Sequence, residues 1–403
     1  MATVAILGFG VVGGGVADLI TKNSREVEML GGEPVRIKYL LDLREFPDSP
    51  FRDLVVHDFS VICSDPEVDT VIEVMGGSHP AYEFTCASLK AGKNVITSNK
   101  EVVAEFGDEF LALARENGVC YRFEAAVGGG IPALSPIISC VLQNRITEVR
   151  GILNGTTNYI LTKMFSLGHG FDESLAAAQA KGYAERNPDA DILGIDACRK
   201  IAILGALVTG KLVPVENIHT EGITEVRKED VLVSERLGRS IKLLGRCIIS
   251  EEGVYIMVAP FMIAEDEPLS TVSGVYNAIE VVGEPIGRAM FYGRGAGAGP
   301  TASAVVGDLM QIMRSGRACA EPKMVKTAEG VLPFSEFRVS SSVSVKGGCE
   351  SCVRAAFGEV SFVEGENGEI SFVTPVMTEG ETEEALKQLT DKGIEIKSRI
   401  RLL

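Results

Sequence analysis

The chain opens on an apolar run, Val4–Leu7, followed by glycines and then by apolar residues at helical spacing. A short apolar run bounded by turn signals predicts a buried parallel strand leading into a helix. The pattern recurs. Val35–Glu45, Thr70–Gly77, Asn94–Asn99 and Cys120–Val127 read as further strands, with helical stretches at Ala81–Gly92 and Asp108–Asn117 among them. Strands alternating with helices predict an α/β fold, a Rossmann-type doubly wound parallel sheet, over residues 1–125.

Beyond it the pattern changes. Ile146–Met164 reads as a strand, a turn at Asn154–Gly155 and a helix that Thr156 or Thr157 would cap. Residues 172–208 are helical in pattern and 213–290 mixed. Val275–Ile312 then carries short strands, a turn with Gly295, Gly297 and Gly299, and a helix starting near Pro300. That helix, about 300–318, would return the chain to the first domain and complete it. Residues 126–319 are thus expected to form a second, α+β domain, and 320–335 a linker. Residues 336–403 follow a strand–helix–strand–strand–helix–strand order, with a hairpin at Asn367–Gly368. This is a ferredoxin-like βαββαβ arrangement.

Length and composition agree with several folded domains. The chain has 403 residues, of which 46% are hydrophobic. A net charge of −16 argues against nucleic acid as a partner. No apolar run reaches membrane-spanning length, and no secretory signal is visible. Nine scattered cysteines then suggest reduced thiols and a cytoplasmic protein. Cys349 and Cys352 form a lone CxxC, too few ligands for zinc.

The candidate chemistry falls on a few segments. Gly8, Gly10 and Gly13 have GxGxxG spacing between the first strand and the first helix. Gly8 permits the tight turn, Gly10 lets a pyrophosphate approach the backbone, and Gly13 allows close helix–strand packing. The loop Gly8, Phe9, Gly10, Val11, Val12 and Gly13 is therefore a candidate dinucleotide cradle. Asp42, near the end of the second strand, would bond the ribose of NAD, whereas Arg44 would hold the extra phosphate of NADP. Lys100 follows the strand Asn94–Asn99 and would point into the ligand crevice; as a type, a lysine is more often a solvated surface residue. Glu124 precedes a turn, Val127–Ile131, rich in exposed carbonyls. That combination suits a hard cation, and equally a flexible hinge.

The segment Glu185–Leu207 places Asp196 and Lys200 four residues apart in an apolar helix, with Glu185, Asp189 and Asp191 at its entry. An exposed i,i+4 pair would contribute only about 0.3–0.5 kcal/mol. The helix has little polar face, so burial is expected, and buried charges need partners. An EF-hand beginning at Asn187 fails, because Ile192 and Cys198 stand where glycine and glutamate are required.

These motifs, in this order and over nearly the whole chain, resemble bacterial homoserine dehydrogenase, with a C-terminal segment similar to a compact ACT regulatory domain. The resemblance implies an NAD(P)-dependent oxidoreductase that reversibly reduces aspartate semialdehyde to homoserine, on the route to threonine, methionine and isoleucine. It implies Lys200 as proton donor, with Asp196 and Lys100 also in the catalytic set. Glu185 would hold the substrate ammonium, Asp191 would lie near the hydroxyl, and Gly155 and Thr156 near the carboxylate. Gly182, Gly295 and Lys100 would join the cofactor site. Glu124 and the carbonyls of Val127, Gly129 and Ile131 match a sodium site. A homodimer or larger homo-oligomer and an amino-acid effector at the C-terminal domain are also implied. A phosphorylating semialdehyde dehydrogenase would need a nucleophilic cysteine, and none sits in an evident catalytic loop. A non-enzymatic nucleotide and amino-acid sensor would make no demand on Lys100 and Lys200.

Overall fold

The structure, a computed structural model, describes residues 1–315 and 322–403. The chain divides into two compact units. The first comprises Met1–Arg145, Ala202–Val215 and Phe291–Ala328; the second comprises Ile146–Ile201, Glu216–Met290 and Glu329–Leu403. The boundary expected near residue 125 thus falls inside the first unit. Gly316–Ala318, at the end of the expected closing helix, and Ala320 and Glu321, at the start of the expected linker, lie outside the described residues.

The first unit is built on a six-stranded parallel sheet. Its strands lie in the order Val55–Val56, Val35–Leu41, Ala2–Leu7, Thr70–Glu73, Asn94–Thr97 and Tyr121–Arg122. This is the doubly wound order, with its crevice at the carboxyl ends of the strands. Ala2–Leu7 is buried throughout, as a continuous apolar strand with covered faces must be. The helix Ala298–Ser315 packs on Val11–Lys22; a Cβ on Gly15 would touch Ala302 Cβ at 3.4 Å. One expected strand is cut short: in Cys120–Val127 only Tyr121–Arg122 pairs. Ala125–Gly128 coils into a helical turn, because Glu124 already has helical dihedrals and small residues follow it.

The second unit carries a mixed sheet. Arg239–Ile249 and Val254–Ala264 form a long antiparallel pair, with Arg145–Ile152 against the former. The C-terminal βαββαβ segment contributes the strands Glu395–Leu402, Ser341–Lys346, Ile370–Val373 and Ser361–Val363, in that spatial order. Its helices Glu350–Phe357 and Glu379–Asp391 close a core of Val343, Val345, Val353, Phe357, Phe372 and Leu389. Asn367 (φ 54°) and Gly368 (φ 76°) form the hairpin with the left-handed pair such a tight turn requires. The segment is not sealed off, since Glu395–Leu402 also runs parallel to Val254–Ala264 through Phe261–Arg401 and Met262–Leu402.

Two further expectations are corrected. The helical pattern over 172–208 is three helices, Phe171–Ala180, Asp189–Ile192 and Ile195–Thr209. They are separated around Pro188 and by a left-handed turn at Gly194 (φ 82°). The expectation of reduced thiols fails at Cys349 and Cys352, which are joined as a disulfide with Cα atoms 5.2 Å apart, a separation that fits such a bridge. No helix among the described residues is long and apolar enough to cross a membrane.

A buried ion-pair network reinforces the joint between the last strand and the rest of the second unit. The Arg401 guanidinium, 3% exposed, donates to Glu379 at 2.7 and 2.9 Å and to Glu221 at 2.7 and 2.8 Å. Arg399 also donates to Glu379, and His219 Nε2 lies 2.6 Å from Glu221. Burial works against the charge on Glu221, but His219 and Arg401 outweigh it and hold the carboxyl well below its usual range, at about 2. Removing one member of a buried network is costly, because its partners stay behind uncompensated. Arg401→Ala is expected to lower the unfolding free energy by about 3 kcal/mol or more, measured by chemical denaturation. A loss below about 1 kcal/mol, the range of a surface pair, would show that the network does not hold the joint.

Candidate active site

Two polar constellations stand out, one in each unit. In the first, the glycine loop closes the strand Ala2–Leu7 onto its helix. Gly8 has φ 95°, and a Cβ on Gly13 would lie 2.0 Å from the Gly8 carbonyl, so neither position admits a side chain. Phe9 turns its ring inward against Phe46 and Phe51. Its N–H donates to Asp42 Oδ2 at 3.0 Å. Gly10 and Val11 are exposed, and Val12 is half-buried. Asp42 therefore meets the glycine loop, where the ribose of a dinucleotide lies in such folds. The Arg44 guanidinium clamps the same carboxylate at 2.9 Å through Nε and Nη2 and holds its pKa down to about 2.

Lys100 is the first residue of the helix Lys100–Asn117, capped by Asn99, whose side chain accepts from the N–H of Glu101 and Val102. Behind it lies a chain of bonds the sequence does not announce. Thr97 Oγ1 donates to Glu73, and the Asn99 N–H donates back to Thr97 Oγ1 at 2.9 Å. Asn99 Nδ2 donates to the Gly77 carbonyl at 2.8 Å. Glu73 is wholly buried, and burial pushes its carboxyl up to about 7, against the opposing pull of Thr97, the Met75 N–H and Asn99. The loop carrying Lys100 thus rests on a buried carboxyl at the end of the strand Thr70–Glu73.

Glu124 is 6% exposed, and its carboxylate accepts the N–H groups of Ala133, Leu134 and Ser135 at 2.7–2.8 Å. The adjoining turn is close-packed: a Cβ on Gly129 (φ 59°) would stand 2.2 Å from the Gly295 carbonyl, and the Gly130 N–H donates to the Arg294 carbonyl at 3.2 Å. Val127 and Ile131 are buried beside it. The carboxylate is engaged as an acceptor of backbone N–H groups, and the donors facing it compete with a cation for its lone pairs.

The second constellation lies wholly in the second unit. Asp196 and Lys200 share one face of Ile195–Thr209 and are 3% and 7% exposed, so the pair is buried. Lys200 Nζ lies 3.0 Å from Asp196 Oδ2 and donates to the Leu153 carbonyl at 2.8 Å. The next residue, Asn154, donates through Nδ2 to Asp191 Oδ1 at 2.7 Å and to Asp196 Oδ2 at 2.9 Å. Its Oδ1 accepts the Thr157 N–H at 2.8 Å and caps the helix Gly155–Leu167. The cap is therefore Asn154, not Thr156 or Thr157; Thr156 Oγ1 donates instead to the Tyr183 carbonyl at 2.7 Å.

Asp191 is positioned from outside its own helix. The Ile223 N–H donates to the Ile192 carbonyl at 2.8 Å, and a Cβ on Gly222 would stand 2.1 Å from that oxygen. Gly222 is thus required for the loop to close. Glu185 is exposed, with its backbone carbonyl bonded to Gln179 Nε2 at 3.1 Å. Gly182 (φ 72°) terminates the helix Phe171–Ala180, its N–H on the Gln179 carbonyl, and Gly155 packs on the Val275 carbonyl. So Asp191, Asp196 and Lys200 are brought into one cluster around Asn154, whereas Glu185 and Gly182 line the segment leading to it.

Two family descriptions match the chain: "Homoserine dehydrogenase" over residues 132–310 and "Homoserine dehydrogenase, NAD binding domain" over residues 8–124. The homoserine dehydrogenase of Bacillus subtilis is 36% identical over 99% of this chain and 98% of its own length. The chain belongs to the homoserine dehydrogenase family. The Synechocystis homoserine dehydrogenase is 43% identical over 77% of this chain and 73% of its own. A crystal structure of the Thiobacillus denitrificans homoserine dehydrogenase, 33% identical, superposes with a TM-score of 0.90 over 100% of this chain and 98% of that one. A hyperthermophilic archaeal homoserine dehydrogenase in complex with NADPH, 27% identical, covers 77% of this chain and 97% of that one at a TM-score of 0.66.

The α/β class and the NAD(P)-dependent oxidoreductase function implied by the sequence are those of the family. Three residues that organise these clusters, Asn154, Asn99 and Glu73, are not singled out by sequence reading. For Asn154 a signal exists, since asparagine before a helix start outranks threonine as a cap. For Glu73 none does, because an acid at a strand end reads as surface.

Glu73 carries a test of its own. The unfolded carboxyl releases its proton near the ordinary 4.5 and the folded one near 7. Between these values the folded state binds more protons, so stability falls as pH rises from about 4.5 to about 7 and levels off above. The loss amounts to about 3 kcal/mol. Glu73→Gln is expected to flatten that slope and to gain on the parent between pH 5 and pH 8, measured by denaturation at both. An unchanged slope would place the titration elsewhere.

Proposed function

We propose that this enzyme reversibly converts aspartate semialdehyde to homoserine, with Lys200 delivering the proton that becomes the hydroxyl hydrogen and taking it back in the reverse direction. The observation that carries this reading is the buried Lys200 ammonium, held between the Leu153 carbonyl and the Asp196 carboxylate. Bound NAD(P) supplies the hydride, and the glycine loop, with Asp42 at its edge, would hold its pyrophosphate and ribose. The Leu153 carbonyl and the Asp196 carboxylate fix the place of the ammonium, and Asp196 stabilises the charged form until the oxyanion develops. Asp191 and Glu185 would receive the substrate hydroxyl and ammonium, and the N-terminus of the helix Gly155–Leu167, at Gly155 and Thr156, its carboxylate. Lys100 would complete the set, polarising the carbonyl beside the cofactor.

The resemblance supports several finer readings: a homodimer or larger homo-oligomer, a cytoplasmic enzyme of threonine, methionine and isoleucine synthesis, and an amino-acid effector on the ACT-like C-terminal segment. It also implies a sodium ion on Glu124 and the carbonyls of Val127, Gly129 and Ile131. The three N–H groups already on that carboxylate do not suit a cation.

Between the two dinucleotides, Asp42 favours NAD. A ribose hydroxyl would donate to its carboxylate, whereas a 2′-phosphate would bring like charge against it. Asp42→Ser frees Arg44 and is expected to move the kcat/KM ratio toward NADP by about tenfold or more; an unchanged ratio overturns the NAD reading. Lys200→Ala is expected to lower kcat about 100-fold or more, with the dissociation constant for NAD(P)H unchanged. Near-normal turnover in homoserine-dependent reduction of NAD(P) would remove Lys200 from the chemistry.

A further inference from the structure

We propose that Asn154 is a positioning residue that sets Asp191 and Asp196 as a pair about the Lys200 ammonium. The inference rests on the reading of Lys200 as proton donor and extends it to a residue that touches neither substrate nor cofactor in that reading.

The geometry leaves little freedom. Carboxylates only accept hydrogen bonds, so the amide face toward Asp191 and Asp196 must be the NH₂ group, which offers one hydrogen to each. The carbonyl face is then committed to the Thr157 N–H, which fixes the orientation of the whole side chain. Asn154 is 5% exposed, so water does not compete for these bonds. Its position is set on the other side by its own backbone, since the preceding carbonyl, Leu153 O, receives Lys200 Nζ. One dipeptide therefore meets all three charged groups, the ammonium through a carbonyl and both acids through an amide.

Two carboxylates converging on one amide repel each other. Without a donor between them, the acids separate or one takes up a proton. Either result changes the position and the field of Asp196 at the ammonium. Asn154 supplies the bridging donor without adding charge. Serine is too short to reach both acids, and aspartate puts a third carboxylate where the donor was. Both still cap the helix.

That separation makes the test. Asn154→Ser and Asn154→Asp are purified with the parent and assayed for homoserine-dependent reduction of NAD(P), with pH profiles, melting curves and NAD(P)H affinity. Both variants are expected to lose about tenfold or more in kcat, with NAD(P)H affinity unchanged, because the bonds of Asn154 go to the two acids and to its own helix cap. In Asn154→Asp the acid limb of the kcat profile, on which Lys200 loses its proton and becomes the base for homoserine, is expected to move to higher pH, since a third negative charge favours the ammonium form of Lys200. In Asn154→Ser that limb should move less. Parental kcat and pH profile in either folded variant would overturn the proposal and leave Asn154 as a helix cap. Loss of NAD(P)H binding or of the cooperative melt in both would overturn it equally, making Asn154 a residue of the fold; should one alone fail to fold, the other decides. A parent enzyme inactive on homoserine would instead sink the reading of Lys200.

Discussion

A buried ammonium is the constraint around which the second unit is arranged. Lys200 lies in a helix that is apolar on nearly every side, and a charge there is tolerated only with partners. Those partners come from different places: Asp196 from one turn earlier in the same helix, Leu153 from the end of a strand. Asp196 in turn needs Asn154, and Asn154 brings Asp191 with it. The cluster grows outward by this logic, each charge calling for the next polar group. It ends where Gly222 and Ile223 pin the loop around Ile192.

The same loop connects the cluster to the C-terminal segment. Glu221, next to Gly222, is held by Arg401 of the last strand, and Arg401 is also bonded to Glu379 at the start of the last helix. A continuous set of bonds within the second unit therefore runs from the βαββαβ segment to the backbone beside Asp191. In the first unit the analogous support is a buried carboxyl. Glu73 holds Thr97, Thr97 holds Asn99, and Asn99 caps the helix that begins with Lys100. Each lysine singled out in the sequence is thus placed by an asparagine nearby, one as a helix cap and one as a bridge between acids.

Much of the architecture is legible along the chain because it is written in local periods. Alternating apolar strands and helices announce the parallel sheet, and the GxGxxG spacing announces the turn that Gly8 and Gly13 make obligatory. The burial of Asp196 and Lys200 follows from a helix without a polar face. The local reading fails where small or breaking residues leave the period ambiguous. Ala125–Gly128 coils rather than extends, and the stretch around Pro188 and Gly194 divides what looks like one helix into three. Cys349 and Cys352 show another limit: their spacing allows pairing, but only the helix start between them brings the sulfurs together.

The sequence by itself determines what depends on neighbours within a few residues: which stretches are strands, where glycine is needed, and that Asp196 and Lys200 share a helix face. Tertiary structure alone decides which distant groups meet them. Asn154 reaches Asp191 and Asp196 across 37 and 42 positions, and Arg401 reaches Glu221 across 180. The physical reason is that a buried charge specifies only that it must be compensated. Which side chain does so depends on how sheets and helices pack, and that information is distributed over the whole chain.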